Sequence, residues 1–250
     1  MKFALLFLTL VSCSTCILRQ ATATNSFHAE YEISRGSLTV GSLERTLMIS
    51  DTREYHLIST MSSAGLAGLF LKLDSTEISR GTIIDGKVRA EAFSYLRKGK
   101  KEKNYNIDFD HEAKNVSNPS GKHAWKEKIT TQIFDKLSYQ LQLILDLESS
   151  RKEEIHYIIA DRKGLKEYFI ETMYTENVPT GLGLVSATKV TSTSKNSKTE
   201  TSVWCARELG WIPVKVEHKD KKGNITTALL SMFKSKFNEV HLSPGKEKSP

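Results

Sequence analysis

Residues 27–33 read FHAEYEI, and this stretch decides the fold class because apolar and polar side chains alternate along it. Alternation with a period of two places Phe27, Ala29, Tyr31 and Ile33 on one face of an extended chain. The pattern therefore predicts a β-strand with one buried face and one face in water.

The same alternation recurs along the chain, with turn residues between the segments. Asp85-Gly86 separates two such segments and favours a tight hairpin, because both residues tolerate positive φ. Gly41 interrupts another segment, where we expect a β-bulge or close backbone packing. Further strands are predicted at 37–49, 54–61, 82–84, 88–90, 92–97, 104–109, 154–161, 166–174, 185–192, 200–207, 213–218 and 225–237.

One segment, residues 135–148, has helical spacing instead. Its apolar positions are Leu137, Leu141, Ile144 and Leu145. Asp135 is predicted to cap the helix start, and Gln140, Gln142 and Asp146 to mark its wetter side. A lone amphipathic helix among strands must bury its apolar face against the sheet. We therefore predict a mainly β fold, a curved antiparallel sheet or incomplete β-barrel with this one helix packed in its concavity.

The N-terminus has the pattern of a secretory signal peptide. Lys2 precedes an apolar run, and Ala21-Thr22-Ala23 supplies a small-x-small cleavage site. A membrane-anchoring helix is the alternative, but the run is shorter than the roughly 20 apolar residues that span a bilayer. The prediction is a signal peptide over residues 1–23 and an exported protein.

A second processing route stays open at Cys13. Leu10-Val11-Ser12-Cys13 resembles a bacterial lipobox, in which Cys13 is acylated and becomes the first residue. The product would be an outer-membrane lipoprotein, tethered to a membrane through its acyl chains. Membrane attachment is predicted only for this route.

The remainder is predicted to form a single β-rich domain over residues 24–240, with a flexible, polar C-terminal tail over 241–250. The apolar stretch Ser62 to Leu73 is the least regular part. It is either a buried connector or short helix that covers a barrel end, or an apolar lip that guards a ligand cavity. The sequence leaves both interpretations open.

The chain has 36 Lys and Arg against 29 Asp and Glu, a net charge of +7. Basic clusters at residues 97–101 and 219–223 each flank a predicted turn, which is typical of solvated hairpin tips. The functional alternative is attraction to anionic lipid or polysaccharide. An exported protein without aromatic residues among its basic clusters is not expected to bind nucleic acid.

No catalytic, cofactor-binding or metal-ligating residue is predicted. The seven histidines show no HxH or HExxH spacing, and no GxSxG elbow is present. Cys205 lies beside Trp204 in a predicted strand, which favours a small buried side chain over a reactive thiol. Gly181-Leu182-Gly183 is predicted to be a turn rather than a phosphate loop, because no helical pattern follows it.

Four stretches, taken in order, resemble an uncharacterised family of bacterial exported proteins, domain of unknown function 3108. They are FHAEY at 27–31, NIDFD at 106–110, FDKLS at 134–138, and Trp204 followed by LGWIPVKV at 209–216. The resemblance implies a curved antiparallel sheet with an associated helix, in the periplasm or envelope of a Gram-negative bacterium. It implies no catalytic residues.

The leading hypothesis is a non-enzymatic periplasmic or cell-envelope protein that binds an apolar or lipid-like envelope component in the concavity of its sheet. The first alternative is a structural or assembly partner of another envelope protein, acting through a sheet edge or the basic tips. A hydrolase is the weakest alternative, because no catalytic constellation supports it.

Overall fold

The computed structural model describes residues 26–64, 74–98, 102–119, 121–149, 155–194 and 198–235. These ranges contain fifteen strands, one α-helix and two short 3-10 turns. The strands are β1 Phe27–Arg35, β2 Leu38–Ile49, β3 Glu54–Ser63, β4 Ser75–Ile84, β5 Lys87–Arg97, β6 Lys103–Asp110, β7 Asn115–Asn118, β8 Trp125–Lys128, β9 Ile133–Phe134, β10 Ile155–Asp161, β11 Gly164–Thr180, β12 Gly183–Ser194, β13 Glu200–Ala206, β14 Ile212–Lys219 and β15 Ile225–Ser235. The helix, α1, spans Ser138–Glu148, and the 3-10 turns span Gly121–His123 and Arg207–Leu209.

All fifteen strands belong to one sheet, in the order β8-β7-β6-β5-β4-β3-β2-β1-β15-β14-β13-β12-β11-β10-β9. From β1, in the middle of the sheet, successive strands add outward to β8 at one edge. The chain then crosses to β9 at the opposite edge, and successive strands add inward to β15, which lies beside β1. Every pairing is antiparallel except the short β9–β10 contact. The predicted fold class, a mainly β protein built on a curved antiparallel sheet with one helix, is confirmed.

The two halves of the sheet meet at a seam that is held by side chains. β6 pairs with β5 only from Ala92 onward, so the start of β5 has an open edge. Gln142 of α1 accepts a hydrogen bond from the Val88 N–H at 2.7 Å. Gln132 donates to the Val88 carbonyl at 2.9 Å. These amides satisfy backbone groups that a neighbouring strand would otherwise pair, which is one way to protect a sheet edge.

A second tie across the seam lies at β8. The Trp125 indole N–H donates to the carbonyls of Asp161 and Arg162, at 3.0 and 3.2 Å. Asn118 of β7 donates to the Arg162 carbonyl at 3.0 Å. The turn after β10 is thereby fixed against β7 and β8, and the sheet curls into an incomplete barrel.

The β11–β12 hairpin reaches across the sheet to its centre. The backbone N–H of Gly181, at the hairpin tip, donates to the Leu230 carbonyl of β15 at 2.8 Å. A Cβ at Gly181 would lie 2.6 Å from the Ser231 carbonyl oxygen, so only glycine fits this contact. The predicted turn at 181–183 is correct, and it is also a packing point.

Several local predictions are confirmed. Asp85 and Gly86 form the β4–β5 turn with φ values of 50° and 73°. A Cβ at Gly41 would lie 2.4 Å from the Ser62 carbonyl oxygen, which is the close packing expected there. The register between β1 and β2 also shifts beside Gly41, between Ile33 and Ser34.

Other local predictions are wrong. The strands predicted at 88–90 and 92–97 form one strand, β5, whose pairing with β4 shifts register between Arg80 and Gly81. Gln142 was predicted on the wetter side of the helix, but it is 3% exposed because its amide bonds the β5 edge. Strands β7, β8 and β9 were not predicted. Residues 65–73 of the apolar stretch Ser62 to Leu73 lie outside the described residues.

Candidate functional site

The start of α1 is fixed to the sheet by a buried carboxylate. Asp135 accepts hydrogen bonds from the N–H groups of Leu137 and Ser138, at 2.8 and 2.9 Å, so it serves the helix start as predicted. Its other oxygen accepts a hydrogen bond from the Ser79 hydroxyl of β4 at 2.6 Å, and Ser79 also contacts the Tyr55 hydroxyl. Burial raises the pKa of Asp135, and these hydrogen bonds oppose that shift.

Cross-strand partners that share the buried face form rows across the sheet. One such row, called the sealed row below, contains Phe27, Leu47, Leu57, Ser79, Phe93 and Ile107. Leu47, Phe93 and Ile107 are at most 2% exposed. Because Ser79 bonds Asp135 at the start of α1, the helix lies over this part of the concave face.

The neighbouring row on the same face carries charge. This charged row contains Phe233, Ala29, Arg45, Ser59, Glu77, Tyr95 and Tyr105. Lys136, just before α1, joins it, with its ammonium 5.5 Å from the Tyr95 ring centre and 5.7 Å from that of Tyr105. The Lys136 side chain is 37% exposed. Met61, two residues beyond Ser59 on the same face of β3, is 36% exposed. Solvent therefore reaches the concave face beyond the end of the helix.

Three ionisable groups in or beside the charged row have shifted pKa values: Lys136, Asp161 and Glu77. Burial acts to lower the pKa of Lys136, but Tyr105, Asp161 and Glu77 outweigh it and raise that pKa. Burial likewise acts to raise the pKa of Asp161, but Lys136 and hydrogen bonds from Lys166 and the Arg162 N–H lower it to about 2. The Lys136 ammonium lies 3.3 Å from the Asp161 carboxylate. Burial raises the pKa of Glu77, against the opposing effect of Lys136 and Arg45.

The opposite wall of the concavity is apolar. Its cross-strand partners, called the aliphatic row below, are Val190, Val203, Val216, Ala228 and Ile33. Val190 and Ile33 are buried, whereas Val203, Val216 and Ala228 are only partly buried. Part of this small-side-chain wall is therefore accessible.

Two clefts flank the seam on either side of Gln132. One has a volume of about 270 Å³ and polar walls that include Lys87, Asp146, His156 and Tyr157. The other has a volume of about 390 Å³ and mainly apolar walls that include Ile84, Val88, Ile129 and Ile133. Both clefts are open to solvent, and neither is a closed chamber.

The described residues lack one kind of functional centre, a metal site. Within these ranges, no group of three His, Cys, Asp or Glu side chains is placed to hold a metal ion. The Cys205 thiol is buried, and burial raises its pKa to about 12, which agrees with its predicted role as a packed side chain. The helices in the same ranges are too short or too polar to cross a membrane.

The chain belongs to the family described as "Protein of unknown function (DUF3108)", whose model matches residues 30–230. The family predicted from the four short stretches is therefore confirmed.

A solved structure shares the architecture. A β-barrel-like protein of domain of unknown function DUF1849 from Brucella abortus matches with a TM-score of 0.59 and 12% identity, over 84% of this chain and 98% of that one. A protein with a YmcC-like fold from Bacteroides fragilis matches with a TM-score of 0.36 and 12% identity, over 85% and 97%. The first likeness supports the fold alone, and the second carries no argument. A comparison with proteins of curated function finds no match.

No site residues were predicted from the sequence, and the charged row was missed. A signal was present in β2, where Arg45 occupies the inward position between Leu43 and Leu47. A charged residue on the apolar side of an alternating strand marks a buried charge that needs a partner. Lys136 was noted within a family stretch, but its position over Tyr95 and Tyr105 depends on contacts distant in sequence.

Proposed function

We propose that the mature protein is a non-enzymatic binding protein of the cell envelope, which holds an amphipathic, lipid-like molecule in the concavity of its sheet. One observation carries this proposal: the charged row and the aliphatic row share the concave face. Ala29 of the charged row and Ile33 of the aliphatic row lie on the same side of β1, about 13 Å apart along the strand. A molecule with a polar head and an apolar tail matches this arrangement.

The incomplete filling of the concavity supports the proposal. The helix covers the sealed row, whereas Lys136, Met61 and Val216 face inward and keep contact with solvent. Partly open sheets with an accessible apolar wall can accommodate an apolar ligand. Binding would bury apolar surface, and burial of such surface is favourable by about 25 cal/mol per Å².

The envelope location is supported by the N-terminal sequence. Residues 1–23 have the order of charge, apolar run and small residues that directs export. Release after Ala23 and acylation at Cys13 are both compatible with a ligand-binding domain outside the cytoplasm. The mass of the mature chain distinguishes them, because acylation adds the mass of the lipid and shifts the first residue to Cys13.

Native mass spectrometry of the full mature protein, purified from the cells that produce it, tests the proposal. The expected result is a protein mass with a lipid-sized adduct that is lost under denaturing conditions. Purified apo-protein should also take up the neutral fluorescent probe N-phenyl-1-naphthylamine. A ligand-free mass together with no probe uptake would refute the proposed function.

A pair of matched variants locates the binding surface. Val216→Lys places a charge on the aliphatic row and should weaken probe binding about tenfold or more, because an unpaired charge in an apolar site is costly. Thr193→Lys adds the same charge at an exposed position of β12 and should leave binding unchanged. Equal binding by both variants, with both folded, would place the ligand elsewhere.

A further inference from the structure

The inference rests on the proposed function and concerns the head of the ligand. The charged row carries two cations on the same face, and both act on Glu77, which lies between them. Arg45 lies in β2, and Lys136 lies over Tyr95 and Tyr105 at the other end of the row. Ser59 and Glu77 lie between them on adjacent strands. Because neighbouring strands lie about 4.8 Å apart, Arg45 and Glu77 are about 10 Å apart across the sheet.

The Arg45 guanidinium is incompletely bonded. Its carbon lies 6.0 Å from the Tyr31 ring centre, a cation–π contact that holds the group against the wall. Its Nε atom is buried and has no hydrogen-bond partner among the residues that the structure describes. An unpaired buried donor on a charged group costs free energy, and this cost disappears when an acceptor arrives. An anionic oxygen is the acceptor that a guanidinium binds best.

The local charge also favours an anion. Asp161 is shared by two cations, Lys136 at 3.3 Å and Lys166 at 2.5 Å. One carboxylate therefore faces two ammonium groups, and Arg45 adds a further positive charge on the same face. Glu77 is the opposing group, and burial raises its pKa, so it keeps its proton more readily than an exposed glutamate. Among the described residues, Arg45 is therefore the cation of this row that is not ion-paired with Asp161, and an added anion would meet it unpaired.

We propose that Arg45 and Lys136 form a headgroup site that selects amphiphiles with an anionic head, a carboxylate or a phosphate, over neutral amphiphiles with the same tail. The apolar chain of such a ligand lies along the aliphatic row, and its head accepts hydrogen bonds from Arg45 Nε and the Lys136 ammonium. An anionic head gives the buried Arg45 Nε an acceptor and places a negative charge beside the partly exposed Lys136 ammonium, and this gives the site its specificity.

The test compares cis-parinaric acid with its methyl ester, which has the same fluorescent chain and no charge. The expected result with the full mature protein is acid binding at least about tenfold tighter than ester binding, since only the acid brings a negative charge to Arg45 and Lys136. Equal affinities would refute the headgroup site while leaving the proposed function intact. Binding of neither compound would instead count against the proposed function.

Variants assign the selectivity to residues. Arg45→Gln and Lys136→Gln should each weaken acid binding about tenfold and leave ester binding unchanged. Arg80→Gln, at an exposed position of β4, is the matched control and should behave as wild type. Arg45→Lys retains the charge and should keep part of the selectivity if Arg45→Gln fails to fold. Undiminished acid selectivity in folded Arg45→Gln and Lys136→Gln proteins would overturn the assignment.

Competition identifies the chemical source of the anion. Oleate and dioleoyl phosphatidic acid carry a carboxylate and a phosphate on similar chains, and displacement of the bound acid by either supports the site. The competitor that displaces the bound acid at the lower concentration carries the preferred headgroup. Dioleoylglycerol has the same chains without the phosphate, and displacement by it at equal concentration would refute anion selectivity.

Discussion

The Gln142 side chain accepts a hydrogen bond from the backbone N–H of Val88 at 2.7 Å, and so joins α1 to the open edge of β5. The same amide donates to the Gly86 carbonyl at 3.2 Å and to Asp146 at 3.0 Å. One glutamine thus bonds a strand, a turn and its own helix. Gln142 therefore links the two sides of the seam of the incomplete barrel at Val88.

Replacing Gln142 should therefore destabilise the protein. Gln142→Ala leaves the Val88 N–H without a partner, and we expect a loss of about 1–3 kcal/mol in the free energy of unfolding. Urea titration followed by circular dichroism measures the change. Gln140→Ala is the control, because the Gln140 amide donates to the Lys136 carbonyl just before its own helix. Equal effects of the two substitutions would contradict the role given to Gln142.

Asp161 should make stability depend on pH in the acid range. Its pKa in the folded protein is about 2, below the usual value of about 3.9, so its charge stabilises the fold above pH ~4. This stabilisation is lost as the pH falls toward 2. Asp161→Asn should cost about 1–3 kcal/mol at pH 7, and the difference from wild type should shrink between pH 4 and 2.

Urea titrations at pH 7 and pH 3 measure this dependence. Asp51→Asn, at an exposed turn, provides the control and should match wild type at both pH values. An equal difference between wild type and Asp161→Asn at pH 7 and at pH 3 would show that the ion pairs of Asp161 are not its source.

Gly181 should tolerate no side chain. A Cβ there would lie 2.6 Å from the Ser231 carbonyl oxygen and 2.7 Å from the Ser231 Cα, so Gly181→Ala must push the β11–β12 hairpin away from β15. We expect a loss of about 1–3 kcal/mol, as for other overpacked sites. Leu184→Ala, on the same hairpin and 66% exposed, should change stability little. Thermal unfolding of both variants provides the comparison, and an unaffected Gly181→Ala protein would exclude the tight contact.

Cys205 should be unreactive in the folded protein. Its thiol is 1% exposed, and its pKa is about 12, so almost no thiolate forms at pH 8. Ellman's reagent should label it only after unfolding in urea. Rapid labelling of native protein cleaved after Ala23, which lacks Cys13 and Cys16, would mean that the strand of Cys205 opens readily.

Structural features were predictable from the sequence where a few neighbouring residues carry the pattern. The alternation in FHAEYEI and the Asp85-Gly86 turn are local, and both were interpreted correctly. Most of β4 was missed because Ser75 to Gly81 is largely polar, although Glu77 and Ser79 face the concavity and the helix start. The short strands β7 to β9 have too few residues to show a period.

The candidate site was harder to predict for a related reason. Arg45 becomes a site residue only because Ser59, Glu77 and Tyr95 follow it across three successive strands. That register depends on loop lengths and bulges, such as the shift between Arg80 and Gly81. Gln142 was predicted to be solvated because polar side chains on a helix usually are. Its burial depends on the unpaired edge of β5, which the sequence of the helix does not show.

The pairing of β1 with β15 has a consequence for how the chain reaches its native state. These strands come from opposite ends of the domain, yet they are neighbours in the middle of the sheet. β1 pairs with β2 on one edge, but its other edge stays unpaired until β15 has been synthesised. Contacts so distant in sequence form slowly. A polypeptide with this connectivity therefore completes the centre of its sheet only after β15 has left the ribosome.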